Sequence, residues 1–239
     1  MKYPNFSEEK KLWKQGYQFI VGLDEAGRGP LAGPVVAAAV FIKNTFIKEK
    51  HSDILQNVRM FLGIRDSKTL TEKQREFFYE QLTNHKDIVF GVGIVSEKVI
   101  DKVNILEATK LAMQKALENM YHKSNGRKIY GTADFLLIDG NFILHMKHSF
   151  AKSFGAPKQK SIIKGDSKVF SITAAGIIAK VTRDRIMRHM HIKYPEYGFD
   201  KHKGYGTAAH VIRLQNLGVC KIHRKSFEPV KTLVKTEIV

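Results

Sequence analysis

The stretch FIVGLDEAGRGP, residues 19 to 30, constrains the fold most strongly, because an apolar run there ends in two adjacent carboxylates. The run from Phe19 to Leu23 predicts a buried strand. Burial of Asp24 at the end of that strand costs several kcal/mol unless a cation compensates the charge. We therefore predict that a hard metal ion lies beside Asp24 and Glu25.

Two glycines flank an arginine directly after these acids. Gly27 and Gly29 allow the backbone to turn tightly and to approach a ligand, and Arg28 is placed to grip a phosphate. A dinucleotide-binding loop is one alternative, but Gly27, Gly29 and Gly33 are spaced one residue too far apart for that fingerprint and Pro30 follows Gly29. An exposed acidic turn is the other alternative.

The composition indicates a globular protein with a polyanionic partner. The chain has 239 residues, 43% of them hydrophobic, and 40 Lys plus Arg against 23 Asp plus Glu give a formal charge of +17. A basic excess of this size favours nucleic acid as the partner. The single cysteine, Cys220, excludes an internal disulfide and a thiolate zinc cage. With no apolar run of signal-peptide or transmembrane length, we predict a cytoplasmic protein without a membrane partner.

Hydrophobic patterns predict alternating strands and helices. Thr71 and Gln74 have the spacing of a capping box at the start of one helix. The alternation predicts an α/β domain in which helices cover the faces of a mixed β-sheet. Strands are predicted at 19–23, 34–42, 88–95, 134–140 and 160–163, and helices within 1–17, 52–62, 71–84, 105–120, 169–194 and 207–217.

Further acids follow two of the other predicted strands. Asp139 ends the apolar run before it, and Asp166 lies in a loop after a short strand. Open α/β sheets bind ligands beyond the strand ends, so we expect Asp24, Glu25, Asp139 and Asp166 to converge. An all-oxygen site suits Mg²⁺ or Mn²⁺ rather than zinc. Together with the basic charge, it indicates phosphodiester hydrolysis that uses two divalent ions.

The chain resembles the bacterial ribonuclease HII family. The matching segments occur in the family's order between residues 20 and 229. They are Asp24-Glu25-Ala26-Gly27-Arg28-Gly29, Asp66-Ser67-Lys68, Ile138-Asp139-Gly140, Lys164-Gly165-Asp166-Ser167-Lys168, Ala179-Lys180-Val181 with Arg183-Asp184, Tyr197-Gly198-Phe199, His202-Lys203-Gly204-Tyr205 and Arg224-Lys225-Ser226-Phe227-Glu228-Pro229.

The resemblance implies a ribonuclease H-like fold with a small C-terminal helical appendage. It implies a catalytic domain over 1–194 and a substrate-contacting loop with a helical extension over 195–239. The implied activity is metal-dependent cleavage of RNA in RNA/DNA hybrids and at single ribonucleotides in duplex DNA. The implied products carry 5'-phosphate and 3'-hydroxyl ends. We further predict that the protein is a monomer.

The resemblance also implies roles for individual residues. Asp24, Glu25, Asp139 and Asp166 would be the catalytic, metal-binding acids, with Asp24 bridging two ions. The backbone of Gly27, Arg28 and Gly29 would recognise the ribose 2'-hydroxyl. Lys68 would lie near the substrate backbone, and Tyr205 would stack on the deoxyribose that follows the ribonucleotide.

Several of these residues have simpler alternatives. Asp66 could cap the following helix while Lys68 is solvated. Tyr205 could be a half-buried loop aromatic. Asp184 is expected to form an exposed ion pair with Lys180 or Arg188, four residues away on either side, rather than to bind metal.

Parts of the chain depart from the family pattern. The stretches between residues 42 and 66 and between 141 and 160 are longer than in many members, and Gly176 stands where serine is usual. Lys147, Lys152, Lys158 and Lys160 in the second stretch would extend the nucleic-acid footprint. The rival functions are a ribonuclease HIII type enzyme, disfavoured by Tyr205, and a non-catalytic nucleic-acid-binding module, which leaves the acids at the strand ends unexplained.

Overall fold

The computed structural model describes residues 3–47, 60–122, 133–146 and 156–236. Within these ranges there are five strands: β1 (Ile20–Ala26), β2 (Val35–Ile42), β3 (Ile88–Val95), β4 (Phe135–Asp139) and β5 (Lys158–Ile162). They form one mixed sheet in the order β3-β2-β1-β4-β5. β1 pairs antiparallel with β2 and parallel with β4, β2 pairs antiparallel with β3, and β4 pairs parallel with β5. The predicted mixed sheet is therefore confirmed.

Helices occupy most of the predicted positions. Both bonds of the predicted capping box between Thr71 and Gln74 are present. One helix begins at Glu97, earlier than expected, and is interrupted at Asn104, where φ is 67°. The predicted helix at 52–62 lies mostly outside the described residues. The α-helices within the described ranges are α1 (Ser7–Lys14), α2 (Glu72–Asn84), α3 (Glu97–His122), α4 (Phe170–Lys193), α5 (Phe199–His202), α6 (Ala208–Leu217) and α7 (Val230–Thr236).

Helix α3 packs very closely on one face of the sheet. A Cβ atom at Gly93 of β3 would lie 1.9 Å from the carbonyl oxygen of Ala112, and one at Gly91 would lie 2.2 Å from that of Ala116. Real Cβ atoms do not make contacts this short. The absence of side chains at Gly91 and Gly93 therefore allows α3 to approach the sheet. Buried Leu117 lies in the hydrophobic core that this helix shares with the sheet.

Helix α4 covers the opposite face and brings its first turns close to β1. A Cβ atom at Gly22 would lie 2.4 Å from the carbonyl carbon of Ser171. Residues Ala174, Ala175 and Ile178 of α4 are fully buried against the alanine-rich β2. The close contact places α4 directly behind the strand that carries Asp24.

The C-terminal segment forms the predicted helical appendage. Phe199 and Tyr197 stack at 5.4 Å in a small core that includes Met187 of α4. An isolated bridge between Ala32 and His223 ties this segment to the loop after β1. The division of the chain at residue 194 stays a prediction. Among the described helices, none is both long enough and apolar enough to cross a membrane.

Candidate active site

Three strand ends bring three carboxylates together. Asp24 lies near the end of β1, Asp139 ends β4, and Asp166 lies in the short 3₁₀ turn Gly165–Ser167 after β5. Because β1, β4 and β5 are parallel neighbours, their carboxyl ends meet at one edge of the sheet. One carboxylate oxygen from each acid lies within 4.8 Å of the other two, an arrangement that could hold a metal ion.

Local hydrogen bonds orient these acids. Asp139 Oδ1 accepts a bond from the backbone N–H of Gly165 at 2.7 Å. The hydroxyl of Thr173 donates to the carbonyl of Asp166 at 2.7 Å, which anchors the turn to the first turn of α4. Asp24 Oδ1 accepts from the backbone N–H of Glu25 at 2.7 Å. The backbone therefore holds one carboxylate oxygen of Asp139 and one of Asp24, and the Thr173 hydroxyl fixes the turn that carries Asp166.

Gly176 of α4 provides the space that the Asp24 carboxylate occupies. A Cβ atom at this position would lie 2.3 Å from Asp24 Oδ2. The position that is predicted to differ from the family pattern therefore lies directly against the cluster. A side chain here would have to displace the carboxylate of Asp24.

The acids are packed more closely than their charges favour. Burial raises the pKa of Asp24 well above its usual value, and the charges of Glu25, Asp139 and Asp166 raise it further. Burial also raises the pKa of Asp166, with a contribution from Asp139, although Lys68 opposes the shift. The single positive charge of Lys68 does not neutralise such a cluster, and a bound divalent ion would offset two more of its negative charges.

Glu25 lies beside the cluster but outside the group of three oxygens. Arg28 Nη1 is 3.4 Å from Glu25 Oε1. Burial raises the pKa of Glu25 to about 7, Arg28 lowers it and Asp139 raises it. The other oxygen, Oε2, is buried and has no hydrogen-bond partner within the described ranges. A buried acceptor without a donor is what a metal ligand presents before it binds.

The loop at Asp66 has a capping acid and an exposed lysine, as the simpler alternative expected, while the role of Lys68 at the substrate stays a prediction. Asp66 Oδ1 accepts from the backbone N–H of Lys68 at 2.9 Å, so this acid caps the short 3₁₀ helix Ser67–Thr69. The side chain of Lys68 is 78% exposed, yet its Nζ lies 3.6 Å from Asp166 Oδ2. Partial burial lowers the pKa of Lys68, but Asp66 and Asp166 raise it overall. A solvent-facing cation thus stands at the edge of the acid cluster.

Arg224 holds the glycine loop from beneath. Its buried guanidinium donates to the carbonyls of Gly27 at 2.6 Å, Arg28 at 2.8 Å and Gly33 at 3.0 Å. Since the C=O and N–H of a trans peptide point in opposite directions, the N–H groups of Arg28 and Gly29 point away from Arg224. A Cβ atom at Gly29 would have no described atom within 4 Å. The loop therefore presents backbone donors on its open side.

Arg183 of α4 is a second buried arginine at the same loop. It donates to the carbonyls of Pro34, Ala32 and Lys203. A Cβ atom at Gly27, where φ is 94°, would lie 2.0 Å from Arg183 Nε. Sequence reasoning assigned no role to Arg183 or Arg224, although both lie in segments that resemble the family. The sequence contains no signal for the burial of these two arginines, because their partners are backbone carbonyls, which every residue has.

Tyr205 follows α5 and is 40% exposed. Its ring lies 5.7 Å from Lys180 Nζ and 5.8 Å from the guanidinium carbon of Arg183. The backbone next to it is tied to the loop after β1, because Leu31 N–H donates to the carbonyl of Gly204 at 2.8 Å. The exposed ring and the glycine loop thus belong to one connected region.

The environment of Asp184 differs from the expected exposed helix surface. Asp184 is only 3% exposed. It does pair with Lys180, at 2.7 Å, but Arg188 bonds to Glu76 instead. Arg75 Nη2 lies 4.0 Å from the second oxygen of Asp184. The prediction of an exposed pair was wrong because α2 packs over this part of α4.

Comparisons with known proteins agree with this geometry. The family described as Ribonuclease HII matches residues 21–230. The Ribonuclease HII of Chlamydia trachomatis serovar A is 48% identical over 233 residues, which cover 95% of this chain and 93% of the relative. That of Bacillus cytotoxicus is 44% identical over 230 residues, 96% of this chain and 76% of the relative. The crystal structure of the ribonuclease H2 from Pyrococcus horikoshii OT3 is similar with a TM-score of 0.65 at 28% identity, covering 91% of this chain and 98% of that one.

Proposed function

This chain belongs to the ribonuclease HII family, and from that premise we propose that it cleaves both RNA/DNA hybrids and single ribonucleotides embedded in duplex DNA. The products would carry 5'-phosphate and 3'-hydroxyl ends. Removal of ribonucleotides from DNA serves replication and repair. The observation that carries the proposal is the convergence of Asp24, Asp139 and Asp166 within 4.8 Å.

The residues present fit a divalent-metal site. The oxygen donors of Asp24, Glu25, Asp139 and Asp166 suit Mg²⁺ or Mn²⁺, and their mutual repulsion is relieved by added positive charge. The buried Oε2 of Glu25, without a partner among the described atoms, is a further donor. When bound, two such ions supply activation of a water and neutralisation of the charge on the attacked phosphate.

The side chains around the acids would bind and orient the nucleic acid. Lys68, exposed and 3.6 Å from Asp166, offers a cation to a phosphate that approaches the acids. Arg28 borders the same cluster through Glu25. Lys68 and Arg28 each lie beside a carboxylate, which balances their positive charge until a phosphate binds.

Recognition of RNA is assigned to the glycine loop. The outward N–H groups of Arg28 and Gly29 can donate to a ribose 2'-hydroxyl, the group that distinguishes RNA from DNA. Arg224 keeps these donors outward by binding the carbonyls of Gly27 and Arg28.

Recognition of the DNA that follows is assigned to Tyr205. A backbone loop reads a 2'-hydroxyl on any RNA strand, so it cannot tell one ribonucleotide from a tract. An aromatic ring packed on the next deoxyribose can, because a 2'-hydroxyl there would crowd it. Partial exposure of the Tyr205 ring leaves a face for such packing.

The enzyme is proposed to act as a monomer in the cytoplasm. All four acids, the glycine loop and Tyr205 belong to one chain, so the site does not need a second copy. A nucleic-acid substrate and a single cysteine favour the cytoplasm.

The test is a cleavage assay on duplex DNA that carries one labelled ribonucleotide, with Mg²⁺, with Mn²⁺ and with EDTA. We expect cleavage with either metal, none in EDTA, and 5'-phosphate ends on the product. An all-DNA duplex and a continuous hybrid are run in parallel. Attack by the 2'-hydroxyl would instead leave a 2',3'-cyclic phosphate. Cleavage in EDTA, or equal cleavage of the all-DNA duplex, would contradict the proposal.

A further inference from the structure

A row of side chains in the C-terminal segment, two buried histidines and a partly buried cysteine, has no part in the proposed chemistry. We call Cys220, His223 and His210 the histidine chain. His210 and His223 are 0% and 1% exposed, and their Nε2 atoms are 3.1 Å apart. His223 Nδ1 lies 3.1 Å from Cys220 Sγ, and His210 Nδ1 lies 2.9 Å from the carbonyl oxygen of Tyr205.

The partners determine which nitrogen carries each proton. A carbonyl only accepts, so His210 Nδ1 must carry the hydrogen that it donates to Tyr205. In a neutral ring, His210 Nε2 is then an acceptor, and His223 Nε2 must donate to it. His223 Nδ1 is left as an acceptor, and the backbone N–H of Cys220 donates to it at 3.0 Å. One arrangement of protons therefore satisfies the whole chain.

The rings are neutral near pH 7, as this arrangement requires. Burial lowers the pKa of His210 to about 4 and that of His223 to about 4. Burial raises the pKa of the Cys220 thiol to about 11, so the thiol keeps its hydrogen.

The histidine chain ends on the backbone of Tyr205. The Tyr205 carbonyl accepts from His210 and also from Thr207 N–H at 2.8 Å. On the other side, Gly204 N–H donates to Nδ1 of His202, whose ring stacks on His210 with centroids 4.3 Å apart. Histidine rings thus bind the peptide group after Tyr205 and the peptide group between Lys203 and Gly204. The half-exposed Tyr205 ring, which also faces Lys180 and Arg183, extends from the backbone that these histidines hold.

We infer that His210, oriented by His223, is a positioning residue that sets the direction of the Tyr205 ring and thereby the preference for DNA after the ribonucleotide. The inference rests on the proposed role of Tyr205 in substrate choice. It extends the specificity determinants from the surface ring to two buried side chains that do not touch the substrate.

The test uses two variants that differ in which nitrogen they preserve. His210→Asn places its amide N–H near the former Nδ1 and can still donate to the Tyr205 carbonyl. His210→Gln places it near the former Nε2 and cannot. The readout is the ratio of kcat/KM on a single ribonucleotide in DNA to kcat/KM on a continuous hybrid. All assays are run well below the melting temperature of the least stable variant.

We expect His210→Gln to lower this ratio by ~2- to 12-fold, the range produced by loss of one neutral hydrogen bond. His210→Asn should stay close to wild type. Tyr205→Ala, the reference variant, should lose roughly 5- to 150-fold on the single ribonucleotide, on the scale of aromatic stacking with nucleic acid. In a Tyr205→Ala background, His210→Gln should have little further effect on the ratio.

Each outcome decides a different claim. If Tyr205→Ala lowers the ratio but His210→Gln does not, the inference is wrong and the role of Tyr205 stands. Additive effects in the double variant, or equal loss in the Asn and Gln variants, also overturn it, since they indicate general structural damage. If Tyr205→Ala leaves the ratio unchanged, the proposed role of Tyr205 fails as well.

Should the His210 variants not fold, His223→Gln, which retains an Nε2-like donor, is compared with His223→Asn, which does not.

Discussion

At the scale of single residues, the active site is defined by charges that the fold brings together at an energetic cost. Asp24 is buried against Gly176 and surrounded by three other acids. Its raised pKa means that the folded protein disfavours the ionised form. Without metal, the stability contributed by this group is present below its unfolded pKa and is lost as the pH rises through its folded pKa.

We predict that Asp24→Asn abolishes cleavage without lowering the melting temperature in EDTA at pH 8. The amide retains the shape of the carboxylate but removes the charge that metal binding needs and that folding disfavours. Cleavage assays and thermal melts measure the two effects. Glu107→Gln, in which an exposed acid that pairs with Lys110 is neutralised, is the control and should remain active. Activity of Asp24→Asn within a few-fold of wild type would refute the assigned metal site.

Asp166 and Asp184 should separate catalysis from stability. Asp166→Asn removes a member of the acid cluster, so we expect loss of cleavage with an unchanged melting temperature. Asp184→Asn weakens a buried pair with Lys180, so we expect it to cost about 1 to 3 kcal/mol of unfolding free energy while the folded enzyme still cleaves. Denaturant unfolding and specific activity test both variants. The reverse pattern would show that the fourth acid is misassigned.

At the scale of elements, α1 is attached to the start of α4 through a buried carboxylate. Glu9 Oε1 accepts from the backbone N–H of Ser171 at 3.0 Å, in the first turn of α4. Helix N-termini favour such an acceptor. Burial nevertheless raises the pKa of Glu9, so desolvation outweighs the favourable hydrogen bond.

We predict that Glu9→Gln raises the melting temperature at pH 8 and leaves it nearly unchanged at pH 4. The amide oxygen still accepts from Ser171, and the variant avoids the cost of ionisation. In the wild type, the stability contributed by uncharged Glu9 is lost as the pH rises through the raised pKa of Glu9 in the folded protein. Each kcal/mol gained shifts the melting temperature of a chain of this size by ~2 to 4 °C. Glu8→Gln, which affects an exposed pair with Lys160, is the control. A larger shift at pH 4 than at pH 8 would contradict this account.

At the scale of the whole molecule, the charge of +17 coexists with a compact cluster of acids. Of the lysines predicted to extend the footprint, Lys147 and Lys152 lie outside the described residues. Lys160 pairs with Glu8 at 2.6 Å, and Lys158 donates to the Tyr17 hydroxyl at 2.8 Å. The latter two are partly engaged within the protein, which reduces their expected share of phosphate binding.

We predict that hybrid binding by Asp24→Asn weakens steeply with salt, by about −0.9 in log K per log salt for each phosphate neutralised. Fluorescence anisotropy in EDTA over a series of KCl concentrations gives the slope. Lys68→Gln should make the slope shallower by about 0.9, the contribution of one phosphate. Neutralising Lys158 and Lys160 should change it less, because both already have partners in the protein. A slope near zero for Asp24→Asn would argue against a broad basic face.

The sequence alone determined the strands, the sheet class and the acids Asp24, Asp139 and Asp166, because strand periodicity and the residues after each strand are local properties. The capping box at Thr71 was predictable for the same reason. The tertiary structure decided what depends on distant partners. The burial of Asp184 follows from α2 packing over α4. Arg224 and His210 act through backbone carbonyls, and a backbone carbonyl is common to every residue, so no sequence pattern marks it as a partner.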